Sequence, residues 1–344
     1  MLRLVTIEVI EHNKPTLGKQ EQLAAFKVLE SGYIAQGIEV RRLEDELCDF
    51  LGLPEQHAVA LSSGTSALFM ALWSIESKNK SIAMPVYVCS SLRNAAAMAN
   101  AQEVLIDNEK DSPNICLDKL KESNANIAII PHMFGLPNEI SSIKDIDIIE
   151  DCAQSLGASI NNKKTGLIGK ASIFSFYATK LITSGGQGGM FVSKDKDLVD
   201  KVRDYREFDC RRDEKHRFNF QMTDIQASIG RAQLQQLPFF LERRREIFSM
   251  YKKSGLELIE SEANSPVHYR AVIRVKNPLN VKGRLLKQGI KTIIPIEDWE
   301  LLSNDLKYKN AFNLTQTTLS LPIYPLLSNK NVLYIINQLN KILK

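Results

Sequence analysis

The sequence predicts an α/β fold built around a mostly parallel sheet, and two features carry this prediction. Through the first two thirds of the 344-residue chain, short apolar runs alternate with segments of helical periodicity, which is typical of a sheet covered by helices. Most of the apolar runs are rich in Ile and Val and too short for a typical helix, as expected for strands buried on both faces. The predicted strands are 58–61, 82–86, 103–106, 127–131, 147–150, 173–176 and 190–193.

Helical segments are predicted between these strands, at 66–77, 92–101 and 198–206. A much longer helix should begin near Thr223, because Thr223 and Gln226 have the spacing of a capping box. We expect this helix to reach about Tyr251. Pro238 should kink or interrupt it, because proline lacks an N–H group and clashes with the preceding turn.

After Gly255 the pattern changes to a smaller α+β unit. A strand is predicted at 269–275, a helix at 281–288 and a final helix at 331–343. We therefore divide the chain into a large domain, 1–250, and a small C-terminal domain, 251–344, with the boundary between Arg245 and Gly255.

The composition is that of an ordinary globular protein, with 44% hydrophobic and 24% charged residues. A net charge of +4 gives no reason to expect a nucleic-acid partner. The five cysteines show no CxxC spacing, which argues against a zinc site or a disulfide framework. Segment 1–8 is too short and too charged for a signal peptide, and no apolar run could span a membrane. These features predict a cytoplasmic protein with no membrane partner and no metal.

Three segments supply an amine, a carboxylate and an anion cradle. Lys180 and Asp151 each follow a predicted strand, and the turn 62–68 opens a helix. This set is what pyridoxal 5'-phosphate needs. A lysine can form an imine with its aldehyde, a carboxylate can keep its ring nitrogen protonated, and a helix N-terminus can bind its phosphate. Taken alone, each feature has an ordinary explanation as a solvated lysine, a helix N-cap or a Ser/Thr cap.

The order of the motifs resembles the DegT/DnrJ family of sugar aminotransferases, from about Lys14 to the C-terminus. The resemblance rests on 31–37 (SGYIAQG), on Ser175-Phe176 and Lys180 before a glycine-rich run, and on 218–227 and 319–325. It implies a fold type I, pyridoxal-phosphate-dependent transferase with a seven-stranded large domain and a smaller C-terminal domain.

The resemblance also implies roles for individual residues. Lys180 would carry the cofactor and shuttle protons, and Asp151 would contact the ring nitrogen. Gln154 would contact the 3'-oxygen of the ring. The expected phosphate contacts are Ser63, Gly64, Thr65, Ser175 and, from the partner subunit of a homodimer with shared active sites, Asn219.

The chain departs from the family pattern at three places. Cys89 stands where many members have an aromatic residue stacked on the cofactor, so either Cys89 packs there, Tyr87 stacks from a shifted register, or Cys89 is an ordinary core residue. The run 183–189 has one extra glycine, and Gln187 replaces a glutamate. The late H-Y-x-P-L segment of many members is absent around 295–299.

The substrate side is expected to include Gly32 and Tyr33, together with Tyr177 beside the lysine. His132 lies at the start of a segment similar to the family's V-H-x-Y-G. The sequence leaves two alternatives equally open: His132 lines the pocket, or it does not. Arg211 and Arg212 offer cations for the diphosphate of a nucleotide sugar. An ordinary solvated basic turn explains them equally well.

Together these features predict transfer of an amino group from an amino acid, with glutamate expected, to a keto sugar expected to be nucleotide-linked. One alternative keeps the chemistry but uses a keto cyclitol or another acceptor without a nucleotide. Another is a pyridoxal-phosphate-binding regulatory protein without turnover.

Overall fold

A seven-stranded sheet forms the centre of the N-terminal two thirds of the protein. The structure is a computed structural model that describes residues 9–261 and 265–343. Segment 1–8, in which we predicted no signal peptide, lies outside the described residues. The strands are β1 (Ala58–Leu61), β2 (Ser81–Pro85), β3 (Gln102–Ile106), β4 (Ile127–Pro131), β5 (Asp147–Asp151), β6 (Ser159–Ile160), β7 (Lys163–Lys164), β8 (Ala171–Ser175), β9 (Gly189–Val192), β10 (Ala271–Arg274) and β11 (Thr318–Leu321).

Helices flank the sheet and build most of the C-terminal unit. They are α1 (Lys19–Ser31), α2 (Ile38–Leu51), α3 (Gly64–Ser74), α4 (Ser91–Met98), α5 (Leu117–Glu122), α6 (Lys196–Arg206), α7 (Asp224–Lys253), α8 (Pro278–Leu286), α9 (Lys309–Thr317) and α10 (Asn329–Leu343). None of the helices described is long and apolar enough to cross a membrane.

The large sheet has the strand order β1-β9-β8-β5-β4-β2-β3. Strand β9 runs antiparallel to both of its neighbours, and the other neighbouring pairs are parallel. All seven predicted strands are therefore present in this sheet, and the predicted fold class is confirmed. Because β5, β4 and β8 are parallel neighbours, their carboxyl ends meet at one edge, where ligands bind in sheets of this kind.

Both faces of the sheet are buried except along the edge strand β3, whose first residues are exposed. Side chains of a strand alternate between faces, so Val59 and Leu61 pack in the core that contains α3, whereas Ala58 and Ala60 pack in the core that contains residues of α2 and α7. This two-sided burial explains why the strand sequences are apolar at nearly every position instead of at every second one.

The C-terminal unit has its own apolar core, around the antiparallel pair β10 and β11. Helices α8 and α10 and the last turns of α7 contribute to this core, which confirms the predicted strand and both predicted C-terminal helices. Ile10, from the opposite end of the chain, also packs here and forms a bridge with Ile290. The division at residue 250 stays a prediction; it falls within α7, whose Ile247 and Tyr251 belong to the C-terminal core.

Helix α7 corrects one expectation. Thr223 is its N-cap, and the predicted capping box with Gln226 is present. Pro238, however, does not interrupt the helix, which runs unbroken for 30 residues from Asp224 to Lys253, so the predicted interruption is wrong and the alternative of a kink stays a prediction. Leu237 and Phe240 on either side of the proline are buried, and α7 packs along α1 and α2. Tertiary packing therefore offsets the hydrogen bond that the proline removes.

Candidate active site

A cavity of about 190 Å³ opens at the carboxyl edge of the sheet. It brings together the predicted amine of Lys180, the predicted carboxylate of Asp151 and the turn at Ser63, Gly64 and Thr65. Other predicted residues that line it are Ser175, Gln154, Cys89, His132 and Tyr177. The three chemical groups that were far apart in sequence thus share one small space.

The turn after β1 is built to accept an anion. The Ser63 hydroxyl caps α3 by accepting the amide N–H of Ser66 at 3.0 Å. The preceding amides, those of Gly64 and Thr65, have no hydrogen-bond acceptor within the part of the chain that the structure describes. These two N–H groups and the positive end of the helix dipole therefore remain available for a phosphate.

Glycine is required at two places around this turn. A Cβ atom on Gly64 would lie 2.9 Å from the Cβ of Ser175. A Cβ atom on Gly189, at the start of β9, would lie 2.2 Å from the carbonyl oxygen of Ser63. The absent side chains let the turn, Ser175 and β9 approach one another, and this brings the Ser175 hydroxyl to the cavity beside the two amides.

Asp151 is the last residue of β5, and its carboxylate accepts the amide N–H of Ala153 at 2.9 Å. It is 8% exposed, and this burial raises its pKa, while the amide of Ala153 and the positive charge of Lys180 act in the opposite direction. A buried carboxylate of this kind is stabilised by a cation placed against it. A protonated ring nitrogen would supply that cation.

Lys180 follows β8 in a turn in which its own amide N–H donates to the carbonyl of Tyr177 at 2.9 Å. Its Nζ lies 5.5 Å from the ring centre of Tyr269, in the C-terminal unit. Burial would raise the pKa of Tyr269, but the charges of Lys180, Arg270 and Arg244 outweigh it and lower that pKa. Sequence reasoning missed Tyr269, because no local motif marks it and only the tertiary fold brings it to the lysine.

His132 lines the cavity, which was one of the two alternatives that the sequence left open. Its Nδ1 accepts the amide N–H of Asn138 at 3.0 Å, so its Nε2 carries the hydrogen and donates to Glu150 at 3.1 Å. Both ring nitrogens are thus engaged inside the protein, by the amide of Asn138 and the carboxylate of Glu150.

Glu150 holds this histidine from behind. Its carboxylate also accepts amide N–H groups of Gly166, Ile168 and Gly169 at 2.7–2.8 Å. Burial would raise its pKa, but His132 and these amides overcome that effect and lower it. Cys152 lies beside the pair, and ligand atoms of the three residues are within 4.8 Å. Because histidine and glutamate already satisfy each other, the trio is explained as a hydrogen-bonded anchor.

Gln154 is oriented by the backbone. Its Oε1 accepts the amide N–H of Phe134 at 2.7 Å, which leaves its NH₂ group facing Met133 and the cavity. A side-chain N–H at this place suits the predicted contact with a ring oxygen.

Of the two residues considered for stacking on the cofactor, the structure places Cys89 at the cavity and Tyr87 away from it. Cys89 lines the cavity, with its Sγ 2.8 Å from the Ser91 hydroxyl. Tyr87 does not line it; the ring is fully buried and meets Phe134 edge to face. Its neighbour Val88 lines the cavity, so the structure gives no support to stacking by Tyr87 from a shifted register, which stays a prediction.

Gly32 and Tyr33 do not reach the Lys180 cavity within one chain. They line a separate and larger cavity of about 1040 Å³ formed by α1, α2 and α7, and the two cavities share no lining residue. The larger cavity contains neither Lys180 nor Asp151, so the smaller cavity is the candidate active site. Tyr177, by contrast, lines the Lys180 cavity and is 45% exposed.

Asn219, Arg211 and Arg212 lie in the exposed loop between α6 and α7, and none of them lines the Lys180 cavity. Arg211 forms ion pairs with Asp204 and Asp213. Acidic neighbours thus neutralise part of the positive charge that we had assigned to a diphosphate.

The donor set fits pyridoxal 5'-phosphate. Free amides at a helix N-terminus match its phosphate, the buried Asp151 matches its ring nitrogen, and Lys180 supplies the amine. A model of the DegT/DnrJ/EryC1/StrS aminotransferase family matches residues 15–340. The chain belongs to this family. Membership confirms the resemblance, the enzyme class of a pyridoxal-phosphate-dependent sugar aminotransferase and the cofactor predicted from the sequence.

Characterised relatives are similar along nearly their whole length. The chain is 27% identical to a GDP-perosamine synthase of Escherichia coli O157:H7, covering 95% of this chain and 97% of that one. It is also 27% identical to a UDP-4-amino-4,6-dideoxy-N-acetyl-beta-L-altrosamine transaminase of Campylobacter jejuni, over 98% of each. The crystal structure of the aminotransferase TlmJ from Streptoalloteichus hindustanus has the same fold, with a TM-score of 0.89 at 24% identity over 96% of this chain and 98% of that one.

Proposed function

We propose that this aminotransferase moves an amino group from an amino acid, with glutamate expected as donor, to a keto sugar that carries a nucleotide. The observation that carries the proposal is the convergence of Lys180, Asp151 and the free amides of Gly64 and Thr65 on one cavity. Pyridoxal phosphate bound there would supply an electron sink for the donor's α-carbon and a carrier for the amino group between the two half-reactions.

Residues of the chain itself transfer the protons and hold the cofactor and substrate in place. The amine of Lys180 takes the proton from the α-carbon of the donor and returns one to the acceptor. Asp151, fixed by the amide of Ala153, keeps a positive charge at the ring nitrogen. The turn at Gly64 and Thr65 fixes the phosphate end, so that the reacting end stays beside Lys180.

A nucleotide-linked acceptor is supported by the relatives, because two of them are named for GDP- and UDP-linked sugars. Product formation tests it directly. The purified enzyme, loaded with cofactor and glutamate, should aminate a 4-keto sugar on a nucleotide, with the expected mass change in the product. The same sugar without its nucleotide is the matched control, and equal rates with both would contradict the nucleotide requirement.

We further propose a homodimer in which Asn219 completes the partner's site. Asn219 is exposed, and among the residues that the structure describes its Oδ1 accepts only a local amide, that of Gln221 at 3.0 Å. Helix α1 also leaves large apolar side chains in solvent, such as Phe26 at 58% and Leu29 at 57% exposure. A second copy of the chain would cover such a surface. A cytoplasmic location also stays a prediction, to be tested by fractionation of cells that express the protein.

A further inference from the structure

The C-terminal unit places a cluster of positive charge beside the Lys180 cavity. Arg270 lies just before β10, and its Cζ is 5.4 Å from the ring centre of Tyr269. The Nζ of Lys180 is 5.5 Å from the centre of the same ring. Two cations of different units thus contact one buried aromatic side chain.

The backbone holds Arg270 behind the cavity wall, and Arg270 itself is not among the residues that line the cavity. Its amide N–H donates to the carbonyl of Phe134 at 3.3 Å, and the amide of Phe134 is in turn held by Gln154, a residue of the cavity. Met133, the neighbour of Phe134, lines the cavity as well. Arg270 is therefore one residue behind the wall that faces the reacting amine.

Among the residues that the structure describes, no carboxylate forms an ion pair with Arg270. Arg274, four positions further on, is different: it lies 3.5 Å from Asp111 and 3.8 Å from Glu257. A partly exposed guanidinium without an acidic neighbour, beside the site of reaction, has its donor groups available for a ligand.

Arg244 adds to the positive electrostatic potential around Tyr269 but is too buried to contact a substrate. It is 2% exposed and donates to the backbone carbonyls of Tyr269 and Ile323 at 3.0–3.1 Å. The space between it and Lys180 is only about 10 Å³, room for about one water molecule at most. Its charge, together with those of Lys180 and Arg270, favours an anion near Tyr269 and leaves Arg270 as the cation that an anion can contact.

We propose that Arg270 binds a carboxylate of the amino-acid donor. The inference rests on the proposed function, because that function requires an amino acid whose amino group sits at Lys180. A planar guanidinium is suited to hold a carboxylate through two parallel hydrogen bonds. Glutamate offers two such groups, at its α and γ positions, and the binding chemistry is the same for both.

The first half-reaction of the cofactor-loaded enzyme tests this. Its rate, followed by the absorbance change of the cofactor, is measured against the concentration of glutamate, 2-aminobutanoate (no γ-carboxylate) and 4-aminobutanoate (no α-carboxylate). In Arg270→Gln the KM for glutamate should rise about 10- to 100-fold, the loss expected for one hydrogen-bonded charge pair. If the KM for 4-aminobutanoate is unchanged in the variant, Arg270 binds the α-carboxylate. If the KM for 2-aminobutanoate is unchanged instead, Arg270 binds the γ-carboxylate.

Binding without turnover gives a second readout. Calorimetry with glutarate, which has carboxylates but no amine, should show weaker binding to Arg270→Gln than to the wild-type holoenzyme. The affinity of Arg270→Lys for glutarate should lie between those of the wild type and Arg270→Gln. Lysine keeps the positive charge but lacks the planar guanidinium that forms two parallel hydrogen bonds. Arg274→Gln, with thermal melting of all variants, controls for general damage to β10.

The outcomes are distinguishable. Equal losses with all three donors, unchanged glutarate binding, or an Arg270→Gln enzyme that matches the wild type would each overturn the role of Arg270 while leaving the proposed function intact. A wild-type enzyme that reacts with none of the donors would overturn the proposed function, and the inference with it.

Discussion

The Lys180 cavity and the loop between α6 and α7 were both predicted to bind ligand, but they differ in how the fold surrounds their charged residues. The cavity is assembled within one chain, from strand ends that the sheet forces together. The loop exposes Asn219, and acidic side chains pair with Arg211. The comparison teaches that a count of basic residues does not identify an anion site. What matters is whether the fold supplies acidic partners, as it does for Arg211 and, among the residues described, does not for Arg270.

The cavity side of this comparison is tested most strongly by Lys180→Ala. We expect loss of turnover by at least about 10³-fold, because Lys180 is the only primary amine among the described residues that line the cavity. Borohydride should fix the cofactor to Lys180 in the wild type, and peptide mapping should find no adduct in the variant. An adduct on a different lysine would show that the site is assigned wrongly.

Asp151→Asn should separate catalysis from stability. Turnover should fall about 10²-fold or more, since a neutral amide cannot hold the positive charge at the ring nitrogen. The cofactor-free protein should become slightly more stable at pH 7. The raised pKa of Asp151 means that its contribution to stability is complete below its unfolded pKa and is lost as pH rises through the folded value.

Melting of both cofactor-free proteins across pH 4–8 measures this. The stability advantage of Asp151→Asn should grow with pH. An advantage that is largest in acid would contradict the assigned direction of the shift.

Subunit mixing tests whether the loop serves a neighbouring cavity. Lys180→Ala and Asn219→Ala should each be impaired alone, and exchanged mixtures should regain roughly a quarter of wild-type activity, because hybrid dimers contain one intact site. Mixing two preparations of the same variant is the control. Full activity of a monomer verified by light scattering would rule out the shared site.

The smallest effect is expected within the loop itself. Arg212→Gln should raise the KM for a nucleotide sugar a few-fold, while Arg211→Gln should change it less, because Arg211 already pairs with Asp204 and Asp213. The glutamate half-reaction should be unchanged in both. If neither variant alters the KM, the loop is the ordinary basic turn that the sequence equally allowed.

Local patterns determined much of this protein from the sequence alone. The apolar strands, the Ser63 cap and the Thr223 capping box depend on residues within a few positions of one another, so their spacing is visible in the chain. The family resemblance, now confirmed, supplied the roles of Lys180 and Asp151 that spacing could not.

The tertiary structure decided what depends on distant partners. Tyr269 meets Lys180 only because the C-terminal unit packs against the sheet, and α7 continues through Pro238 while it packs along α1 and α2. The tautomer of His132 depends on a carboxylate from the neighbouring strand β5, that of Glu150, as well as on the nearby amide of Asn138. Charge pairing and burial depend on all the groups that lie nearby in space. They are therefore determined only when the whole chain has folded.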